Sequence, residues 1–180
     1  MEIQGDGEHT LTVNNQNGCA IRVKSLQSVA PSQGTVNLTV KGGSGYFAIA
    51  ADGNISLNGV KLDVTVSSGI RSANGNVTIN GTNVSVVGQD GVGVIANSGS
   101  ISIDSDYLFI QCAGQSGDAK WEHGVGATKD VTIISDDATI TGRYGVYSEN
   151  GNVTLSGNVW VGATNCAIEA VEGTISKDCK

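Results

Sequence analysis

From Gly69 to Gly91 the chain reads Gly-Ile-Arg-Ser-Ala-Asn-Gly-Asn-Val-Thr-Ile-Asn-Gly-Thr-Asn-Val-Ser-Val-Val-Gly-Gln-Asp-Gly. Apolar and polar residues alternate in three short runs, each closed by Asn or Gly. A period of two marks a strand with one buried face, and Asn-Gly marks a tight turn. The unit is strand, corner, strand, turn, strand, corner.

The same unit recurs along the chain. Its middle run is Val36-Asn37-Leu38, Ile55-Ser56-Leu57, Val77-Thr78-Ile79, Ile101-Ser102-Ile103, Val131-Thr132-Ile133, Val153-Thr154-Leu155 and Ile175-Ser176-Lys177, at spacings of 19, 22, 24, 30, 22 and 22 residues. Upstream, Ile21, Ile49, Ile70, Val94, Val125, Val146 and Ile168 fall in step, and small residues follow two positions after most of them. Downstream, pairs such as Leu62/Val64, Val84/Val86 and Leu108/Ile110 supply a third apolar face. A period in the low twenties with three strands and no helix predicts a coiled sheet. The fold expected is all-β: a right-handed, single-stranded parallel β-helix, or solenoid, of about seven three-strand rungs and roughly 30 Å in length. An antiparallel sandwich also has many short, evenly spaced strands. Three columns that hold register through an insertion favour the solenoid.

One domain is expected over 1–180, with a partial first rung at 1–18, where Leu11-Thr12-Val13 matches the third strand, and a surface insertion at 111–124. Lys24 to Gly34, with the single proline Pro31, reads as a long corner loop. The 26 glycines suit a chain that turns every few residues and would weaken helices. A net charge of -7 and scattered Lys and Arg argue against nucleic acid as a partner. No apolar run is long enough to insert into a membrane, and Met1-Glu2-Ile3 does not open a signal peptide. An uncapped β-helix end exposes strand edges, so end-to-end self-association is expected where nothing else covers it. Cys166 and Cys179 flank the last turn and are candidates for a disulfide clip, with free thiols as the alternative.

Candidate chemistry lies on the outward columns and the insertion. The third strand presents Phe109 and Trp160 on one face about two rungs apart, near 10 Å, the spacing of alternate sugars on an extended glycan. In the insertion, Trp121 and His123, with Glu122 between them, form a second cluster on the expected binding side. The outward column of the first strand, Arg22, Ala50, Arg71, Ile95, Gly126, Tyr147 and Glu169, is mixed and suggests no ligand. In one turn column, Asp104 and Asp106 precede Asp136 and Asp137 by one rung, with Asp106 expected above Asp136. Stacked carboxylates repel unless solvated or bridged by a cation. Calcium is therefore a candidate cofactor there, and a solvated acidic patch is the alternative.

The runs Gly-Ile-Arg-Ser-Ala-Asn-Gly-Asn-Val-Thr-Ile-Asn-Gly and Tyr-Gly-Val-Tyr-Ser-Glu-Asn-Gly-Asn-Val-Thr-Leu-Ser-Gly resemble the repeats of carbohydrate-binding β-helix domains on bacterial surfaces, domains similar in fold to pectate lyases. The resemblance covers roughly Tyr46 to Lys180. It implies a secreted or cell-surface protein, its leader absent from this chain, whose partner is a polysaccharide or another surface domain. It also implies calcium, although the acidic Gly-Asp-Gly repeats common in such domains are missing. A non-catalytic polysaccharide-binding or surface-scaffold module is the expected function. The alternative is a lyase or glycoside hydrolase acting on an acidic glycan, for which Asp106 and Asp136 are spaced suitably but lack a cleft.

Overall fold

A computed structural model describes residues 1–3, 9–28, 35–42, 47–113 and 122–179. Fifteen strands follow one another: β1 (Glu2–Ile3), β2 (His9–Asn15), β3 (Ile21–Val23), β4 (Leu26–Ser28), β5 (Val36–Gly42), β6 (Phe47–Ala51), β7 (Ile55–Val66) and β8 (Ser68–Ser72). They continue as β9 (Val77–Gly88), β10 (Val94–Ala96), β11 (Ile101–Cys112), β12 (His123–Ala127), β13 (Val131–Ser148), β14 (Val153–Ala170) and β15 (Ile175–Cys179). Among the described residues there is no helix.

Every pairing is parallel and joins a strand to its equivalent one turn away, so the chain is a β-solenoid of about six turns through the described residues. Val77-Thr78-Ile79 lies between Ile55-Ser56-Leu57 and Ile101-Ser102-Ile103, as the repeat predicts, and no hairpin joins it to Val84–Val86. Three apolar columns fill the interior. Ile55, Val77, Ile101, Val131 and Val153 line one side, Leu62, Val84, Leu108 and Ala138 the second, and Ile49, Ile70, Val94, Val125 and Val146 the third, all buried. Leu, Ile and Val dominate because parallel strands bury one side chain in two along each rung, and branched chains stack well on the rung below.

One part of the predicted register is corrected. Val36, Leu38 and Val40 stack on Val60, Leu62 and Val64, so β5 belongs to the third face and not to the middle one. The middle strand of that turn is β4, inside the stretch read as a corner loop, with Leu26 on Ile55 and Gln27 on Ser56. The pattern is weak there because Ser28 takes a buried position that Leu or Ile holds in later turns. Its hydroxyl donates to the Asn58 carbonyl at 3.0 Å and accepts from the Asn58 amide at 2.7 Å. Leu11 and Val13 stack on Leu38 and Val40, in the third-strand column expected for them.

Two ladders hold the corners. Gly69, Gly93, Gly124 and Gly145 occupy successive turns at the corner before the first face. A Cβ on each would run into the carbonyl of the next turn, Gly93, Gly124, Gly145 and Ala167 in order. The backbones approach so closely that only glycine fits. At another corner, side-chain oxygens of Asn54 and Asn76 accept from the amides of Asn76 and Ser100, and Asp130 and Asn152 do the same for Asn152 and Thr174, at 2.8–2.9 Å. Each rung thereby satisfies a turn amide of the next.

The insertion is shorter than predicted at both edges. Gln111 and Cys112 complete β11, and His123 opens β12. Trp121, on which part of the predicted cluster rests, lies outside the described residues. Cys166 is a free thiol, its Sγ 3.4 Å from the carbonyl of Ile168. The backbone of Cys179 pairs with Gly157 on a different side of the coil from Cys166, which pairs with Tyr144. The disulfide clip is therefore not formed, because the last turn carries the two residues to different faces. No helix of the described residues is long and apolar enough to cross a membrane.

Candidate functional site

Phe109 pairs with Thr139, and Thr139 with Trp160, so the two rings share one column two rungs apart as the repeat requires. Trp160 is 58% exposed, while Phe109 is half-buried. A Cβ on Gly162 would meet the far edge of the Trp160 indole, so the ring lies along its own strand over a glycine.

The acidic turn column is aligned as expected. Asp106 and Asp136 fall between the paired positions Ser105/Ser135 and Tyr107/Asp137, and both are exposed. Asp104, however, sits beside Asn80 and Ile134, and Asp137 beside Tyr107. Among the described residues no three His, Cys, Asp or Glu side chains converge as metal ligands.

The concave site lies on another face, in the column that suggested no ligand from sequence. A groove of about 550 Å³ runs along the first strands of the middle and late turns. Its floor is the outward column Arg71, Ile95, Gly126, Tyr147 and Glu169, one residue per rung in unbroken register. The adjoining turn column of Asn97, Thr128 and Glu149 forms one wall. The Thr128 hydroxyl donates to the Asn97 carbonyl at 2.7 Å and reaches Glu149 Oε2 at 3.4 Å.

The depression exists because Ile95 and Gly126 stand between two long side chains. Gly126 has a further role: a Cβ there would come within 3.1–3.3 Å of the His123 ring. Without it, that ring packs between Tyr147, 4.6 Å away centroid to centroid, and Tyr144, 5.2 Å away. The two tyrosines meet edge to face at 6.4 Å. His123 is thus a buried member of an aromatic wall and not an exposed loop residue as predicted. Such tilted pairings are the favourable ones for aromatic rings.

Glu122 anchors the wall from behind. Its side chain is 1% exposed, and Oε2 accepts from Arg143 Nη1 at 2.7 Å. Its carbonyl accepts from the amides of Arg143 and Tyr144 at 3.1 and 3.2 Å. The hydrogen bond and charge of Glu122 raise the Arg143 pKa above its ordinary value, so the guanidinium stays charged. At the opposite end, the Arg71 guanidinium lies 5.5 Å from the Phe47 ring centroid. With the Asn97 amide turned so that its oxygen faces Arg71, that oxygen accepts from Nε at 3.2 Å and Nη2 at 3.0 Å. The groove is therefore cationic at the Arg71 end and anionic at the Glu149 and Glu169 end, with aromatic rings between. Burial, reinforced by Glu149 and Glu169, raises the Tyr147 phenol above its ordinary 10.0.

Sequence reasoning missed Arg71, Asn97, Tyr144, Tyr147, Glu149 and Glu169. The available signal was the order of sizes down one column, large, small and large, which marks a dip in a stacked sheet.

Fold and groove together define a parallel β-solenoid with an aromatic-walled groove along its axis. No protein-family model, no curated protein and no solved structure matches the chain.

Proposed function

We propose that this domain is a non-catalytic polysaccharide-binding module that lays an extended glycan along the first-strand groove. The observation that carries it is the groove: a rigid channel of about 550 Å³ whose wall is the Tyr144, His123 and Tyr147 stack. Sugars offer apolar ring faces edged by hydroxyls. Tyrosine rings complement the faces, and Asn97, Thr128, Glu149 and Glu169 complement the hydroxyls. Because strands and not loops hold the aromatic wall, little conformational entropy is lost on binding. The exposed Trp160 ring and Phe109 form an accessory platform on a neighbouring face. A polymer of this kind is met outside the cell, which agrees with the secreted or surface location implied by the repeat resemblance.

A glycan array followed by calorimetry tests the proposal. Binding of an oligosaccharide that is lost in Tyr147→Ala and weakened in Trp160→Ala, with no product formed, supports it. Release of reducing or unsaturated ends from the bound polymer would make the domain an enzyme instead.

The second reading is a structural stalk or assembly unit. The last turn favours it, since Val171 and Ile175 are 56% and 49% exposed there. Concentration-dependent association abolished by Ile175→Asp, without binding to any glycan, would put that reading first.

A further inference from the structure

We infer that the Tyr147 end of the groove selects a glycan carrying a free amine, a 2-amino-2-deoxy sugar whose ammonium sits between Glu149 and Glu169 against the Tyr147 ring. The inference rests on the groove being a glycan site and goes beyond it by naming the group recognised.

Three observations carry it. First, Glu149 and Glu169 flank Tyr147 on two sides: Glu169 lies one rung on in the floor column, and Glu149 lies two residues on in the same rung, in the turn column of the wall. Both carboxylates line the groove, Glu149 at its exposed rim and Glu169 half-buried. A cation set against an aromatic face and beside carboxylates gains from the ring quadrupole and from charge together. Second, the groove's own cation is at the other end. Arg71 precedes Tyr147 in the column by three rungs, roughly 14 Å at the spacing of parallel strands. It is held by the Phe47 ring and the Asn97 oxygen and does not neutralise the acidic end. Third, the net charge of -7 attracts a polycation from a distance and repels a polyanion. A uronic-acid polymer would place its carboxylates against Glu149 and Glu169 at some sugar in every register. An acetylated amino sugar would bring a neutral amide to the same place, larger and without charge.

The test is calorimetric titration of the whole chain with β-linked oligomers of one length, built from glucosamine, N-acetylglucosamine or glucose. The glucosamine oligomer is expected to bind about tenfold more tightly than the other two at low salt, with the advantage shrinking as salt screens the carboxylates. Glu149→Gln with Glu169→Gln should reduce it to the level of the glucose oligomer. Glu149→Asp, which keeps the charge, should retain most of it and serves as the folding control. Equal binding of all three oligomers, abolished by Tyr147→Ala, would overturn the amine inference and leave the glycan site standing. Failure of every oligomer to bind would overturn both. Tighter binding of spermidine or of a lysine-rich peptide than of the glucosamine oligomer would overturn the sugar assignment in favour of a non-sugar amine.

Discussion

Tyr147 joins the packing of the aromatic wall to the electrostatics of the groove. Its phenol is raised above 10.0 by burial first, then by Glu149 and Glu169, so the folded state favours the protonated form. A raised acid binds its proton in the fold at a pH where the unfolded chain has lost it, and stability falls as pH rises through that interval. The contribution of Tyr147 is therefore complete below the ordinary tyrosine value and is lost above it. Melting temperature followed into the alkaline range should fall more steeply in the native protein than in Tyr147→Phe. Identical slopes would show that the phenol does not titrate differently in the fold. The Glu122–Arg143 pair behaves differently, because one partner is buried and the other is 43% exposed. Removing the exposed partner takes a counter-charge away from a carboxylate in the interior, whereas removing both charges does not leave that imbalance. Arg143→Met should lower the melting temperature, and adding Glu122→Gln should recover a large part of the loss. An additive double variant would mean the two side chains are not coupled.

At the level of the rung, stability depends on corners as much as on strands. Gly93→Ala places a methyl group against the Gly124 carbonyl and the Ile110 side chain, where neither backbone can yield. A loss of about 1–3 kcal/mol in chemical denaturation is expected, and an unchanged midpoint would show that the corner relaxes. Asn76→Ala leaves the Ser100 amide without its side-chain acceptor at an exposed turn, and about 0.5–1.5 kcal/mol should follow. The strands were legible in the sequence because the stacked rungs impose two rules at once, alternation within a strand and repetition about every 22 residues. Leu26–Ser28 escaped because a three-residue strand with a buried serine breaks both. The apparent match of Val36-Asn37-Leu38 to the middle strand arose because alternation is the same on every face. Only pairing partners tell the faces apart. The groove was not legible for a related reason: inward columns announce themselves by hydrophobicity, whereas a depression on the outer surface is written only in relative size. Tyr144 adds to this, since it stands beside the bulge between Gly142 and itself.

Over the whole molecule, each turn touches mainly the turns before and after it, so order should decrease toward both ends. The middle turns bury Ile79, Ile103 and Ile133 completely, while Ile175 in the last turn is 49% exposed. Hydrogen exchange read by mass spectrometry should be slowest in β9, β11 and β13 and fastest in β2 and β15. Uniform protection along the chain would point to a single cooperative block with covered ends. The parallel, in-register pairing has a further result for how such a protein can change over generations. Side chains that fill the coil and side chains that line the groove alternate along the same strand, so a substitution on the outside leaves the packing inside untouched. Ile95 and Glu169 can be exchanged one at a time, each altering a single step of the channel along the axis, whereas Gly126 and Tyr147 are tied to the His123 ring. Specificity in this architecture is free to drift while the scaffold stays constant.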